Sequence, residues 1–185
     1  MTHKLRLLAL SFIVALASAA GAAAQAQSAS QYASTGPGLP GGASSLTETY
    51  KDWRVSCSLR DTTKRCVLSQ VQSRQNGQRV LAIELNAPSG DTISGTLVLP
   101  FGLVLDSGVV FQIDEKPTMQ PVRFRTCLPA GCLVNFSFDA PTLTALRTGT
   151  AMKVKTVADG GADTPFSISL QGFANALGRV TALAR

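Results

Sequence analysis

Histidine is all but missing from this chain. The only one in 185 residues is His3, in the first few positions of the N-terminal segment. Beyond it the chain lacks the side chain that most often changes charge near neutral pH and most often ligates metals. Ser-His-Asp and Cys-His mechanisms are thereby excluded for the body of the protein, as are His-bearing zinc sites. Aromatic residues are scarce as well: one Trp and two Tyr, of which Tyr32 precedes the folded region. That leaves few stacking platforms, and nucleic acid is not an expected partner. The Gly-Gly pairs at 41–42 and 160–161 are isolated and make no phosphate-binding loop. No cofactor is expected. After the N-terminal segment, no apolar run is long enough to cross a membrane.

What is present begins with an export signal. Lys4 and Arg6 supply a positive start, and Leu7 to Leu16 is apolar apart from Ser11. Two A-x-A cleavage sites follow, Ala22-Ala23-Ala24 and Ala24-Gln25-Ala26. Residues 1–26 are therefore read as a signal peptide, with an uncleaved anchor as the competing reading. Ala and Gly dominate the second half of that stretch and make a poor membrane span. The first cysteine is Cys57, too far along for a lipoprotein. Cleavage leaves fifteen basic residues against eleven acidic ones, a net charge of +4. Residues 27–47, rich in Ser, Gly, Ala, Gln and Pro, read as a flexible leader, because such composition buries too little apolar surface to repay ordering. An ordered N-terminal strand is the alternative. Residues 48–185 suit a single domain with a sizeable core. The expected location is the periplasm, with surface association or secretion beyond it.

Cys57, Cys66, Cys127 and Cys132 enter an oxidising compartment on export, where they are expected to form disulfides. Three pairings are possible. Local pairing, Cys57–Cys66 and Cys127–Cys132, is favoured by Asp61-Thr62-Thr63 in the first loop and Leu128-Pro129-Ala130-Gly131 in the second. A redox role for Cys127 and Cys132 fits poorly, since reactive pairs sit as C-x-x-C at a helix N-terminus. A four-thiolate zinc site fits poorly too, because the spacings of nine and five match no zinc ribbon. No metal site is expected.

Alternation of apolar and polar residues dominates the domain and predicts half-buried strands. They fall at Trp53–Leu59, Cys66–Ser73, Arg79–Leu85, Ile93–Leu99, Val109–Ile113, Val122–Thr126, Leu133–Phe138, Met152–Val157 and Phe166–Leu170. Regular spacing of short strands predicts an all-β fold, a β-sandwich of two antiparallel sheets. The Asn76-Gly77 turn predicts a hairpin. A three-residue loop, Gln75 to Gly77, sets Val67 opposite Leu85 and Val71 opposite Leu81; a two-residue loop sets polar Gln70 opposite Ile83. The hydrophobic pattern favours the first register. Two helices complete the fold: a short one at 141–147, with Asp139 nearby as a cap, and a C-terminal one over Gly172 to Ala184. Phe173, Leu177, Val180 and Ala184 form its apolar stripe, and Arg179 is its one charge before the terminus.

Arg123 and Arg125 alternate with Val122 and Phe124, so both guanidinium groups are expected on one face. Arg60, Lys64 and Arg65 crowd the first cysteine loop, and Arg74 and Arg79 flank the Asn-Gly turn. Convergence of these sets would make an anion-attracting surface. Asp106, Asp114, Glu115 and Asp139 are the candidates for a histidine-free hydrolase, but no spacing marks any pair as catalytic. No catalytic residue is assigned.

These segments together resemble the invasion-associated locus B family of bacterial exported proteins. The resemblance runs from about Tyr50 to Leu183. It is carried by Tyr50-Lys51-Asp52-Trp53-Arg54-Val55-Ser56-Cys57, Cys66-Val67-Leu68-Ser69-Gln70, Leu99-Pro100-Phe101-Gly102-Leu103 and Gly108-Val109-Val110-Phe111-Gln112-Ile113-Asp114. Phe124-Arg125-Thr126-Cys127-Leu128-Pro129-Ala130-Gly131-Cys132 is the most specific element, and Ser169-Leu170-Gln171-Gly172-Phe173 closes the set. The resemblance implies a periplasmic or surface-associated protein, linked in some pathogens to host-cell invasion, and brings no catalytic residues. Trp53 is expected as a core anchor, Gly102 and Gly108 as turn glycines. The function expected is that of a non-catalytic cell-envelope binding protein. Its partner would be an envelope or host protein or an anionic envelope component, met by Arg60, Lys64, Arg65, Arg123 and Arg125. The alternatives are an envelope stability factor without a ligand and the carboxylate hydrolase.

Overall fold

Residues 38–185 are described by the computed structural model; the expected signal peptide and the leader as far as residue 37 lie outside them. Seven strands form one antiparallel sheet: β1 (Ser45–Tyr50), β2 (Trp53–Arg60), β3 (Thr63–Ser73), β4 (Arg79–Asn86), β5 (Ile93–Leu99), β7 (Thr126–Leu128) and β8 (Gly131–Phe138). Their order is β1-β2-β3-β4-β5-β8-β7. A second sheet has the order β10-β9-β6, from β6 (Val110–Ile113), β9 (Ala151–Val157) and β10 (Asp163–Ser169). The two-sheet antiparallel fold expected from the alternation is thus present.

The strands form because every second residue is apolar and finds the core. Along β5, Ile93, Gly95, Leu97 and Leu99 are buried while the residues between them are not. The sheets meet through aromatics. Phe111 of β6 packs against Phe136 and Phe138 of β8, with centroids 5.2 and 5.4 Å apart. A second focus lies at the other edge, where Trp53 of β2 meets Phe173 edge-on at 5.0 Å. Phe173 opens helix α2 (Phe173–Ala184), whose buried face is Phe173, Ala176, Leu177, Val180 and Leu183. Leu183, not the expected Ala184, completes the stripe. Helix α1 (Ala140–Thr148) starts where the Asp139 carboxylate accepts the Thr142 amide at 3.0 Å.

Order begins upstream of the Glu48 boundary. Leu39 is buried, and β1 pairs with β2 from Ser45↔Ser58 to Tyr50↔Trp53. Residues 39–47 of the expected leader are therefore structured, because Leu39 reaches the core and Leu46 and Tyr50 pack against it.

The β3–β4 hairpin corrects the expected register. Its loop does hold Gln75 to Gly77, with Gly77 at φ 80° and the Arg74 amide bonded to the Gln78 carbonyl. One turn later an irregularity between Gln72 and Ser73 shifts the pairing, so that Gln70 opposes Ile83 and Val71 opposes Ala82. The bulge reverses the face of the whole strand. Gln70 is buried and Val71 is exposed. Burial of a glutamine is tolerated because both the nitrogen and the oxygen of its amide are hydrogen-bonded. Gln70 Nε2 donates to the Ser169 carbonyl at 2.9 Å, and Oε1 accepts the Ser169 amide at 3.2 Å. Trp53 Nε1 donates to the same carbonyl at 2.8 Å. Side chains of the large sheet thus occupy the backbone groups at the end of β10.

Candidate functional site

The basic residues singled out above fall into two groups at opposite ends of the large sheet. Arg60, Lys64 and Arg65 lie at the β2–β3 tip, while Arg74 follows the far end of β3. Eight residues of β3, Cys66–Ser73, lie between Arg65 and Arg74, which is about 30 Å of chain at ordinary strand rise. The convergence of all these sets does not occur. At the β2–β3 tip, Arg65 pairs with Glu84 at 2.7 Å, and Lys64 donates to the Arg185 carbonyl at 2.5 Å. Two of the three cations there are already engaged.

The other end is built differently. The segment expected as a strand over Val122–Thr126 becomes a ladder only at Thr126. Val122 bridges Val109, the residue just before β6 of the small sheet, whereas the Arg125 amide bonds the Leu133 carbonyl of β8 at 2.7 Å. The chain here crosses from one sheet to the other. It stays extended, so the alternation survives: Val122 and Phe124 pack inward, and Arg123 and Arg125 are exposed. Both arginines line one open cleft of about 450 Å³ together with Leu105, Asp106, Phe124 and Thr126. Among the described residues neither guanidinium has an ion-pair partner.

A second cleft, of about 270 Å³, opens on the same end between the β3–β4 hairpin and the loop after β5. Arg74, Arg79, Phe101 and Phe166 are among its walls. Arg79 reaches across to the carbonyl of Ala130 and so ties the hairpin to the β7–β8 turn. That turn is closed by Cys127–Cys132, which face each other in the ladder, just as Cys57 and Cys66 do between β2 and β3. Gly131 sits at φ 131°, and a side chain there would strike the Leu99 carbonyl. The turn thus lies close on the end of β5, held there by the Leu99↔Cys132 pairing of β5 with β8, while the disulfide closes the hairpin itself.

Phe101, Leu105 and Leu128 were not anticipated as site residues. They are exposed by 61%, 42% and 50%, and they are three of the four large exposed apolar residues among those described. A signal existed in the sequence. Each is an apolar residue set beside Pro, Asp or Gly in a turn, as in Pro100-Phe101-Gly102, Leu105-Asp106 and Leu128-Pro129.

Three of the four carboxylates proposed for hydrolysis are engaged elsewhere. Asp114 accepts the amides of Ala151 (2.9 Å) and Thr150 (3.1 Å), which hold its carboxyl below the usual range. Asp139 is lowered by Thr142 at the α1 cap. A general acid needs the opposite shift. Glu115 pairs with Lys153, and Asp106 faces the arginine cleft. Among the described residues, no cluster of Asp, Glu and Cys is placed to hold a metal ion.

Residues 53–181 match the family model described as invasion associated locus B (IalB) protein. The chain belongs to this family. An invasion protein B homolog of Brucella abortus is 48% identical over 150 residues, covering 80% of this chain and 86% of the relative. Invasion protein B of Bartonella bacilliformis is 36% identical over 148 residues, covering 78% and 80%. The crystal structure of invasion associated protein b from Bartonella henselae superposes with a TM-score of 0.70 at 33% identity, over 75% of this chain and 96% of that one. The IalB match takes in both disulfides, both clefts and nearly all of α2. Leu39 and β1 lie ahead of it.

Proposed function

We propose that this IalB-family chain is an exported, non-catalytic binding protein of the cell envelope, periplasmic or surface-associated, which contacts an anionic partner through the Arg123–Arg125 face. The observation that carries the reading is the pair of exposed guanidinium groups, without ion-pair partners among the described residues, held side by side on the extended crossing segment. An arginine pair without carboxylate partners is poised for bidentate recognition of carboxylate or phosphate oxygens. Export is supported by the N-terminal signal pattern and by two disulfides. Among the described residues, no helix is long and apolar enough to cross a membrane. The relatives' names point to invasion, and by that likeness the anionic surface belongs to the chain's own envelope or to a host cell.

Arg60, Lys64 and Arg65 are secondary candidates, since Glu84 and the C-terminal carbonyl compete for two of them. The test compares R123E/R125E with R60E/K64E for capture by an isolated envelope fraction. The first variant is expected to lose capture with an unchanged Tm, because both side chains are exposed. Unaltered capture by R123E/R125E removes the reading.

A further inference from the structure

We infer that the anionic partner is a lipid surface, and that the end of the fold carrying both clefts docks on it. The inference rests on the reading above and names its partner. Two observations meet at this end. One is charge: Arg123 and Arg125 line one cleft, Arg74 and Arg79 the other. The second is apolar exposure, at Phe101 and Leu105 in the connecting loops and at Leu128 where β7 ends. Phe101 shares a cleft with Arg74 and Arg79, and Leu105 shares one with Arg123 and Arg125. Leu128 stands in the β7–β8 hairpin that Arg79 contacts through Ala130.

Isolated apolar tips rimmed by arginines suit a bilayer boundary better than a small anion. A phosphate held by arginines gains nothing from three exposed hydrocarbon tips nearby. At a membrane the tips enter the acyl boundary, while the guanidinium groups remain among the phosphates. The tips stand on loops that the scaffold fixes: by the Cys127–Cys132 bridge, by the Val104 amide bonded to Val157, and by the Asp159 amide bonded to Gly102. Little order must be gained on docking. Asp106 and Asp159 lie at the same end and oppose the attraction, which keeps docking reversible and salt-sensitive.

The experiment is co-sedimentation of the exported form with vesicles. One set is an equimolar mixture of phosphatidylglycerol and phosphatidylcholine, the other phosphatidylcholine alone. Binding to the mixed vesicles only, weakening with salt, is expected. R123Q/R125Q removes two cations, each contributing about five-fold to partition at an anionic surface, so roughly 25-fold weaker binding is expected. F101S/L128S keeps the charges and is expected to shed the vesicles at lower salt than wild type. Absence of binding to mixed vesicles, or binding that R123Q/R125Q leaves intact, overturns the inference. If vesicles are ignored while R123E/R125E still abolishes envelope capture, the partner is a protein or polysaccharide and the broader reading stands. Inorganic phosphate competing as well as vesicles at equal phosphate would show a free-anion site and overturn the lipid assignment.

Discussion

Arg179 of α2 holds Glu48 of β1 in a two-pronged grip, Nε to Oε2 and Nη2 to Oε1, each at 2.8 Å. The Tyr50 hydroxyl donates to the same Oε2 at 2.8 Å. Glu48 stands on an edge strand, 131 residues before its partner. The pair fastens β1, which lies ahead of the matched family region, to the last helix of the fold. It also explains why the one charge on α2 before the terminus is where it is.

The pair is partly open to water, with 35% of the Arg179 side chain and 26% of the Glu48 side chain accessible. Its coupling is therefore modest. A double-mutant cycle with E48Q and R179M, followed by urea denaturation, is expected to give about 0.5–1 kcal/mol, falling as salt is added. A coupling of zero would mean the two groups do not hold each other in solution.

Acid should loosen the protein through three carboxylates. Glu48 is lowered first by Arg179 and then by Tyr50, Asp114 by the Ala151 and Thr150 amides, and Asp139 by Thr142. A folded value below the unfolded one means stability that is complete above the ordinary carboxylate range, about pH 4, and lost as pH falls through the lower folded values. The melting temperature is expected to be flat from pH 7 to about 5 and to drop below about 4. R179M should show a shallower drop than wild type, since its Glu48 titrates nearer the ordinary value.

Gln70 is the polar hinge of the core. Q70L keeps its volume and leaves the Ser169 amide without its acceptor in a buried corner. A loss of about 1–3 kcal/mol is expected by chemical denaturation. Smaller loss in Q70E at low pH, where a protonated glutamate can both donate and accept, would identify hydrogen bonding as the cause. If Q70L were as stable as wild type, the corner would be held by packing alone.

Gly172 shows how tightly the β1–β2 turn sits on the entry to α2. Its φ is 85°, and a Cβ would collide with the Tyr50 carbonyl and stand 3.1 Å from the Lys51 Cβ. G172A is expected to cost at least about 3 kcal/mol, by backbone strain and displacement of the turn together. A small loss would show that the turn can move aside.

Strand content, the two sheets and both helices were readable because each buries one face and leaves a period in the sequence. The nearby cysteines and the turn residues between them pointed to the pairs seen here. What escaped has a common cause. Gln70 looks like a solvent residue, and only the distant Ser169 backbone makes it a core one. β1 carries a glutamate at a half-buried position, so its alternation is masked until Arg179 supplies the partner. The crossing at Val122–Arg125 alternates like a strand but divides its hydrogen bonds between sheets, which no local pattern reports. The separation of the Arg60–Arg65 group from Arg123 and Arg125 follows from the hairpin directions, not from spacing. Phe101, Leu105 and Leu128 gain meaning only when the loops that bear them are seen at one end.

Hydrogen–deuterium exchange of the exported form, with and without its own envelope membranes, tests the central claim most directly. Slowed exchange confined to residues 74–80, 100–108 and 122–131, with the Arg60–Arg65 tip unaffected, is the result expected. Protection centred on that tip, or on α2, would contradict the assignment of the partner-binding end.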